Sequence, residues 1–291
     1  MVEWIDCQQI ADDLLEKIAN EVSDVKQTLG VAPRLDVILV GDDPASHVYV
    51  RNKVKRCERV GIDSHVHTLE ASTATEQLLS LIDDLNHSTE CHGIMVQLPL
   101  PKHIDSDRVI EAIHWEKDVD GLTSINQAKL LNNSHPRLEP CTPLAVIEIL
   151  KAIGEEVAGK SATVIGRSRL FGKPMSLMLQ NLDATVTMCH SKSNLVLPLK
   201  TSNLVISAIG QPKFFKADDF GVKQTLIDVG INRDEAGKLC GDIDANSFEN
   251  AEGDWKITPV PRGVGLLTTT LLMSNTVKAC LLQEKKRTSQ S

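Results

Sequence analysis

The stretch SATVIGRSRLFGKPMSLMLQNL, residues 161–182, reads as a buried strand (Ser161–Ile165), a loop bounded by Gly166 and Gly172, and a helix reaching Leu182. A strand–glycine loop–helix unit turns backbone N–H groups and the positive end of a helix toward a phosphate. The two glycines are six apart, so the usual G-x-G-x-x-G spacing is not met and the loop alone is a weak signal. Its surroundings carry more. Ala184–Met188, Leu204–Ser207 and Thr225–Val229 follow as short apolar strands, and Lys256-Ile-Thr-Pro-Val-Pro261 closes the set. Two of them run into glycine turns, at Gly210 and Gly230. Strands that end in glycine beside a crevice predict a dinucleotide-binding sheet.

The residues after the second strand indicate which dinucleotide. A site for NAD normally places an acid there to hold the ribose 2′-hydroxyl. This chain has Cys189-His-Ser-Lys-Ser193 instead. Arg167 and Ser168 in the first loop, with Ser191, supply a guanidinium and two hydroxyls suited to a 2′-phosphate. NADP is therefore favoured over NAD. The competing reading is a loop with incidental polar residues. Gly166, Arg167, Ser168, Gly172, Ser191 and Ile231, just past Gly230, are the candidate cofactor residues.

Upstream, a separate alternation begins. Ile5–Leu29 reads as an amphipathic helix, Leu35–Val40 as an apolar strand, and His65–Leu69 as an alternating one. Thr73-Ala-Thr-Glu76 has the form of a capping box that opens a helix to about His87. Gly93–Leu98 is a further buried strand ended by Pro99 and Pro101, and Asp105–His114 a short helix. The order β-α-β-α-β predicts a parallel sheet flanked by helices. Ligands of such sheets sit beyond the strands' carboxyl ends, where Gln97-Leu-Pro-Leu-Pro101 lies. His65 and His67 share a strand face, but two ligands without a third do not make a metal site. Lys117-Asp-Val-Asp-Gly121 is open to two readings, plain turn chemistry or a functional pair of carboxylates. The polar run Asn132–Pro140 marks a domain boundary, after which Thr142-Pro143 starts a helix to Ile153.

Between Gly41 and Gly61, GDDPASHVYVRNKVKRCERVG, Asp43-Pro44 reads as a helix start. Ser46, Tyr49, Val50, Lys53, Cys57 and Val60 then fall on one face, and Arg51, Lys55, Glu58 and Arg59 on the other. Lys53 is thus on the face expected to be buried, with Tyr49 one turn before it. A lysine kept off water has its charged form disfavoured and becomes useful for proton transfer. The alternative is a lysine snorkelling from the edge of the helix.

Composition sets the bounds. The 291 residues suffice for one large domain or two ordinary ones, 42% are hydrophobic and 24% charged. The net charge of −8 argues against a nucleic-acid or acidic-membrane partner. Seven cysteines, widely spread and without a C-x-x-C pair, fit reduced thiols of a cytoplasmic protein. The N-terminus is acidic and amphipathic, unlike a signal peptide. Gly263–Leu282 comes nearest to a membrane span, but its threonines, Ser274, Asn275 and Lys278 predict a buried helix.

Six segments together resemble one family along nearly the whole chain: Tyr49-Val-Arg-Asn-Lys53, Val96-Gln-Leu-Pro-Leu-Pro101, Lys117-Asp-Val-Asp-Gly121, Pro140-Cys-Thr-Pro143, Gly166-Arg-Ser with Gly172-Lys-Pro174, and Thr258-Pro-Val-Pro261. It is that of the bifunctional methylenetetrahydrofolate dehydrogenase/methenyltetrahydrofolate cyclohydrolase (FolD-type) enzymes. The resemblance implies a homodimer of α/β chains with two domains and a folate cleft between them. Residues 1–140 would form a three-layer α/β catalytic domain, completed by a returning helix over 265–282. Residues 141–264 would form a Rossmann-type NADP-binding domain, with 283–291 a polar tail. It further implies oxidation of 5,10-methylenetetrahydrofolate by NADP⁺ and hydrolysis of the methenyl product to 10-formyltetrahydrofolate. By position, Lys53 matches the catalytic lysine, Tyr49 the tyrosine that stacks on the folate, and Gln97 the glutamine that adjusts the lysine. Asp120 matches the carboxylate that grips the pterin, and Ser46 is a further candidate for the lysine network. Val96, Leu98, Pro99, Pro261 and Gly265 complete the candidate folate residues.

The chain also departs from the pattern. Where the family reads T-P-V-P-G-G-V-G-P-M-T, this chain has Thr258-Pro-Val-Pro-Arg262-Gly-Val-Gly-Leu266-Leu-Thr268, and Phe171 stands where a smaller aliphatic residue is common. Two competing readings remain: a dehydrogenase lacking the hydrolytic step, and a non-catalytic NADP-binding regulator. Intact Lys53 and Gln97 speak against the first, and the intact lysine against the second.

Overall fold

Strand Ser161–Ile165 lies inside a six-stranded parallel sheet of the computed structural model, which describes residues 1–290. Across that sheet the order is Val2–Trp4, Asp254–Ile257, Lys223–Asp228, Leu204–Ser207, Ser161–Ile165, Thr185–Cys189. Leu204–Ser207 is buried along its whole length, as a parallel strand covered by helices on both faces should be. From Ser161–Ile165 the next strand in sequence goes to one side and the later ones to the other. That reversal makes the topological switch point at which such sheets take their ligands. This unit comprises Met1–Asp12 and Thr142–Thr268.

The opening residues correct the expectation that residues 1–140 fold together. Val2–Trp4 pairs in parallel with Asp254–Ile257, Val2 opposite Trp255, and forms an edge of the second sheet. Three residues are too few to show a strand period. The hairpin of Asn232–Arg233 and Leu239–Cys240 and the helices Ser124–Leu131 and Val196–Thr201 went unsignalled for the same reason of length.

The other unit spans Asp13–Cys141 and the chain from Thr269 onward. Its parallel sheet has Arg34–Val40 in the middle, flanked by Asp63–Leu69 and Gly93–Val96. One face of the middle strand (Leu35, Val37, Leu39) packs against Leu15, Ile18 and Val22 of the first helix and Leu272, Met273 and Val277 of the last. Ile38 and Val40 on the opposite face join Ile94 and Val96 over Leu78, Ile82 and Leu85. Each such side chain contributes about 1.5–3 kcal/mol when fully buried. The result is the expected three layers.

Helix Pro44–Val60 begins and ends where its sequence says. The Asp43 side chain accepts from Ser46 N, Pro44 occupies the first turn, and Gly61 closes the helix at φ 79°. The capping box at Thr73 does not form. Its helix runs Thr75–His87, and Gln77 Oε1 instead accepts the Ala74 N–H at 3.1 Å. The C-terminal helix, Val264–Gln290, is also longer than expected. In place of a polar tail from residue 283, Gln283 and Glu284 are buried, and Gln283 Nε2 donates to His92 O at 2.7 Å. Length and composition would let this helix cross a membrane, yet 61% of its apolar window is buried within the protein.

Candidate active site

In the three-layer unit, Lys53 is the centre of the candidate site. Its amine donates to Gln97 Oε1 at 2.9 Å and lies 3.5 Å from Met95 Sδ. Gln97 follows directly on strand Gly93–Val96 and is itself buried. Its amide nitrogen donates to Leu98 O at 2.6 Å, which fixes the carbonyl end toward the lysine. Burial pushes the Lys53 pKa down, and Asp120 and Cys141 pull it partly back. For Asp120 the signs reverse: burial raises its pKa, and Lys53 opposes that. Each of the two groups is therefore desolvated, and each is the main charge available to the other.

The two carboxylates of Lys117-Asp-Val-Asp-Gly121 have separate fates. Asp118 accepts from the N–H groups of Leu122 and Thr123, from Thr123 Oγ1 and from Asn126 Nδ2. Lys117 is buried and donates to Leu85 O and Ser88 O at the end of helix Thr75–His87. Those two residues are turn chemistry, and Asp120 alone faces Lys53. Gly121 sits at φ 69°, and a Cβ there would lie 2.5 Å from the Glu139 carbonyl carbon, so the loop admits no side chain.

Other candidates are placed as follows. Tyr49 is 55% exposed, at the open edge of the stripe that buries Val50, Cys57 and Val60. Val96 is buried in the core below the sheet, Leu98 is partly exposed and Pro99 is exposed. Ser46 is corrected: it is buried, but its hydroxyl donates to Asp43 Oδ2 at 2.8 Å and so belongs to the helix cap, two turns from Lys53. The sequence also missed Met95, Cys141 and Asn275. Cys141 Sγ donates to Val119 O at 3.2 Å, and burial drives its thiol well above its usual range. A lone Met or Asn within a predicted core element carries no visible mark of such a position, and the Pro140-Cys-Thr-Pro143 segment gave Cys141 no role.

In the six-stranded unit, Gly166 ends strand Ser161–Ile165 at φ 128°, and a Cβ there would stand 2.7 Å from Ala208 O. A Cβ on Gly172 would lie 2.1 Å from Gly166 O. Only glycine permits this close return of the loop. Ser168 Oγ accepts the Phe171 N–H at 3.2 Å, which braces the loop and leaves its own hydrogen to donate elsewhere. Phe171 is buried beneath the loop, so the larger ring is accommodated. Arg167, Ser191 and Ile231 are exposed. Asp242, which no motif marked, is wholly buried and ties strand ends together by accepting from Ser207 Oγ, Ile209 N, Gln211 N and Asn232 Nδ2. Beside it, burial raises Asp228 to about 7, against the opposing N–H groups of Ile243, Asp242 and Gly230.

Pro261 and Gly265 are both exposed, and a Cβ on Gly265 would meet Ile231 Cδ1 at 3.2 Å. Between them Arg262 is exposed with φ 72°, the left-handed region that glycine occupies freely. A side chain there costs roughly 1–2 kcal/mol, of which the freer unfolded state of glycine offsets about 0.4–1 kcal/mol. Arg262→Gly is expected to raise the melting temperature by about 2 °C and to change the folate KM by less than about tenfold. Calorimetry and steady-state kinetics on the variant check both, and a fall in melting temperature would contradict the strain.

A six-stranded parallel sheet with its glycine loop at the switch point, joined in one chain to a second α/β unit that desolvates a lysine, defines a dinucleotide-using enzyme. The catalytic-domain family of tetrahydrofolate dehydrogenase/cyclohydrolase matches residues 5–120, and the NAD(P)-binding domain family of the same enzymes matches residues 140–284. The chain is 47% identical over 280 residues to a bifunctional protein FolD of Magnetococcus marinus, covering 96% of this chain and 97% of that one. The crystal structure of the bifunctional FolD enzyme of Campylobacter jejuni superposes with a TM-score of 0.92 at 40% identity, covering 99% and 100% of the two chains. That of the Trypanosoma brucei dehydrogenase-cyclohydrolase, complexed with NADP cofactor and inhibitor, gives 0.88 at 34% identity over 100% and 99%. The chain belongs to the tetrahydrofolate dehydrogenase/cyclohydrolase family.

Proposed function

We propose that the protein is a bifunctional folate enzyme. It oxidises 5,10-methylenetetrahydrofolate to the 5,10-methenyl form with NADP⁺ and hydrolyses the product to 10-formyltetrahydrofolate, as part of one-carbon metabolism. The observation that carries the hydrolytic half is the desolvated Lys53 amine on Gln97, in a chain whose relatives are bifunctional.

NADP fits the residues present. Gly166 and Gly172 let the loop fold back so tightly that a Cβ on either would strike backbone, which leaves the loop's surface to main-chain groups. Arg167 offers an exposed guanidinium beside it, and no acid follows strand Thr185–Cys189 to repel a 2′-phosphate. Arg167, Ser168 and Ser191 would hold that phosphate, and Gly166, Gly172 and Ile231 would border the rest of the nucleotide. When bound, NADP⁺ supplies the hydride acceptor.

On the folate, Tyr49 offers an exposed ring to stack on the pterin, and Asp120 a carboxylate to accept from its amino groups. Leu98 and Pro99, in the same unit, are apolar contacts assigned to the same ligand. The methenyl group is cationic, which further disfavours an ammonium next to it. Lys53 therefore takes a proton from the attacking water as a neutral amine and later returns one to the departing nitrogen. Gln97 accepts a hydrogen bond from the lysine in either state and so orients it without holding it protonated.

The competing dehydrogenase-only reading has no observation in its favour. A spectrophotometric assay with methylenetetrahydrofolate and NADP⁺ decides between them. Turnover without lasting accumulation of the methenyl form is expected, and accumulation without decay would overturn the hydrolytic half.

The homodimer belongs to the same proposal. Strand Asp63–Leu69 is an edge whose outer backbone groups find no strand partner within the described chain. The net charge of −8 and the buried C-terminal helix support a cytoplasmic enzyme with neither nucleic acid nor membrane as partner.

A further inference from the structure

We infer that Asn275, on the C-terminal helix, is a positioning residue for the pterin-binding carboxylate of Asp120. The inference rests on the folate reading above and extends it to a residue that touches neither substrate nor cofactor.

Asn275 is completely buried, and its amide nitrogen donates to two backbone carbonyls, Val119 O and Glu139 O, both at 2.8 Å. Val119 immediately precedes Asp120. Glu139 is the residue against whose backbone Gly121, immediately after Asp120, is pressed. A single NH₂ group thus staples the two chain segments between which the Asp120 loop is held, 156 and 136 residues away from it in sequence. Cys141 Sγ donates to the same Val119 carbonyl and lies 3.5 Å from the Asn275 nitrogen, which completes the clamp.

The orientation of the amide is dictated by its neighbours. Two carbonyl oxygens at hydrogen-bond distance require the NH₂ end, since the opposite rotamer would set oxygen against oxygen. Asn275 Oδ1 consequently has no partner among the described residues, although it is buried. A buried amide half of which goes unsatisfied is costly to keep. A plain core helix would be served better by leucine, so the two donated bonds are what the residue is retained for. Their effect is to fix the height and direction of the loop carrying Asp120, and with it the distance of that carboxylate from the Lys53 amine. The C-terminal helix therefore takes part in substrate affinity in addition to filling the core.

The experiment is a double-mutant cycle with Asn275→Ser and Asp120→Asn in the full-length enzyme, with KM for methylenetetrahydrofolate, kcat and the dissociation constant of NADP⁺ as readouts. Asn275→Ser keeps one donor and is the variant chosen to preserve folding; thermal melts accompany each protein. The wild-type enzyme is assayed first: if it shows neither activity, the folate reading fails and this inference with it. Given an active wild type, Asn275→Ser is expected to raise the folate KM at least tenfold while NADP⁺ binding stays within twofold. In the Asp120→Asn background the same substitution should raise KM by less than threefold, because its route of action is already removed. Asn275→Asp supplies a second test. Its carboxylate repels both carbonyls when ionised and donates one hydrogen bond when protonated, so its KM should improve as the pH is lowered. Unchanged KM in Asn275→Ser, equal increases in both backgrounds, or a pH-independent Asn275→Asp would each overturn the role and leave Asn275 a packing residue.

Discussion

Lys53→Met is expected to lower methenyltetrahydrofolate hydrolysis by ~10²–10⁴, the usual contribution of a positioned acid–base group. NADP⁺ affinity should be unaffected, because every residue assigned to the cofactor lies in the other unit. The substitution also removes a desolvated amine that prefers to be neutral, so the melting temperature should hold or rise. Retention of more than about a tenth of wild-type hydrolysis would remove Lys53 from the mechanism. The same geometry fixes a pH dependence. Burial lowers the Lys53 pKa, so the reactive neutral amine survives to lower pH than it would in water, and hydrolysis rises as the pH climbs through that value. Gln97→Glu would set a carboxylate where Oε1 now stands, 2.9 Å from the amine. The ammonium would then be favoured, and the acid limb of the pH–rate profile should move to higher pH. An unmoved limb would show that another group titrates there.

Arg167→Ala should cut the preference for NADP⁺ over NAD⁺ by one to two decades in kcat/KM, since a charge-assisted contact to a 2′-phosphate contributes about 1.5–3 kcal/mol. The loss should fall almost wholly on NADP⁺, whose extra phosphate is the group addressed. Hydrolysis of added methenyltetrahydrofolate, which consumes no cofactor, serves as the internal control and should be unchanged. Unaltered selectivity in the variant would overturn the assignment of Arg167 to the 2′-phosphate.

Periodicity and punctuation made most of the architecture legible. Asp43-Pro44 and Gly61 bound the Lys53 helix where the sequence says, and Ser161–Ile165 and Leu204–Ser207 match the expected strands residue for residue. Such elements are long or apolar enough for their period to outweigh local alternatives. Elements of two to eight residues escaped notice, among them Val2–Trp4, whose pairing partner is some 250 residues away in the chain. In the candidate site, helical projection put Lys53 on the inward face, and its amine does reach Gln97. The same projection put Ser46 on the buried face, where it lies, but its hydroxyl serves the cap at Asp43, because a shared stripe does not say how far apart along the helix two groups lie. Asn275 and Asp242 were invisible for a different reason. Both act on backbone carbonyls or N–H groups brought together only by tertiary folding, and no spacing in the sequence encodes such a meeting.

All seven cysteines are free and buried, and burial raises the pKa of each, to about 12 for Cys7, Cys57 and Cys280. Only the thiolate reacts quickly with alkylating or disulfide reagents, so a native molecule offers such a reagent almost nothing. The chain is thereby a built-in clock for its own opening events. Cys57, Cys91, Cys141 and Cys280 belong to the folate unit, and Cys7, Cys189 and Cys240 to the nucleotide unit. The sequence in which these sulfurs become labelled ranks the local openings of the two halves, with no dye or engineered probe.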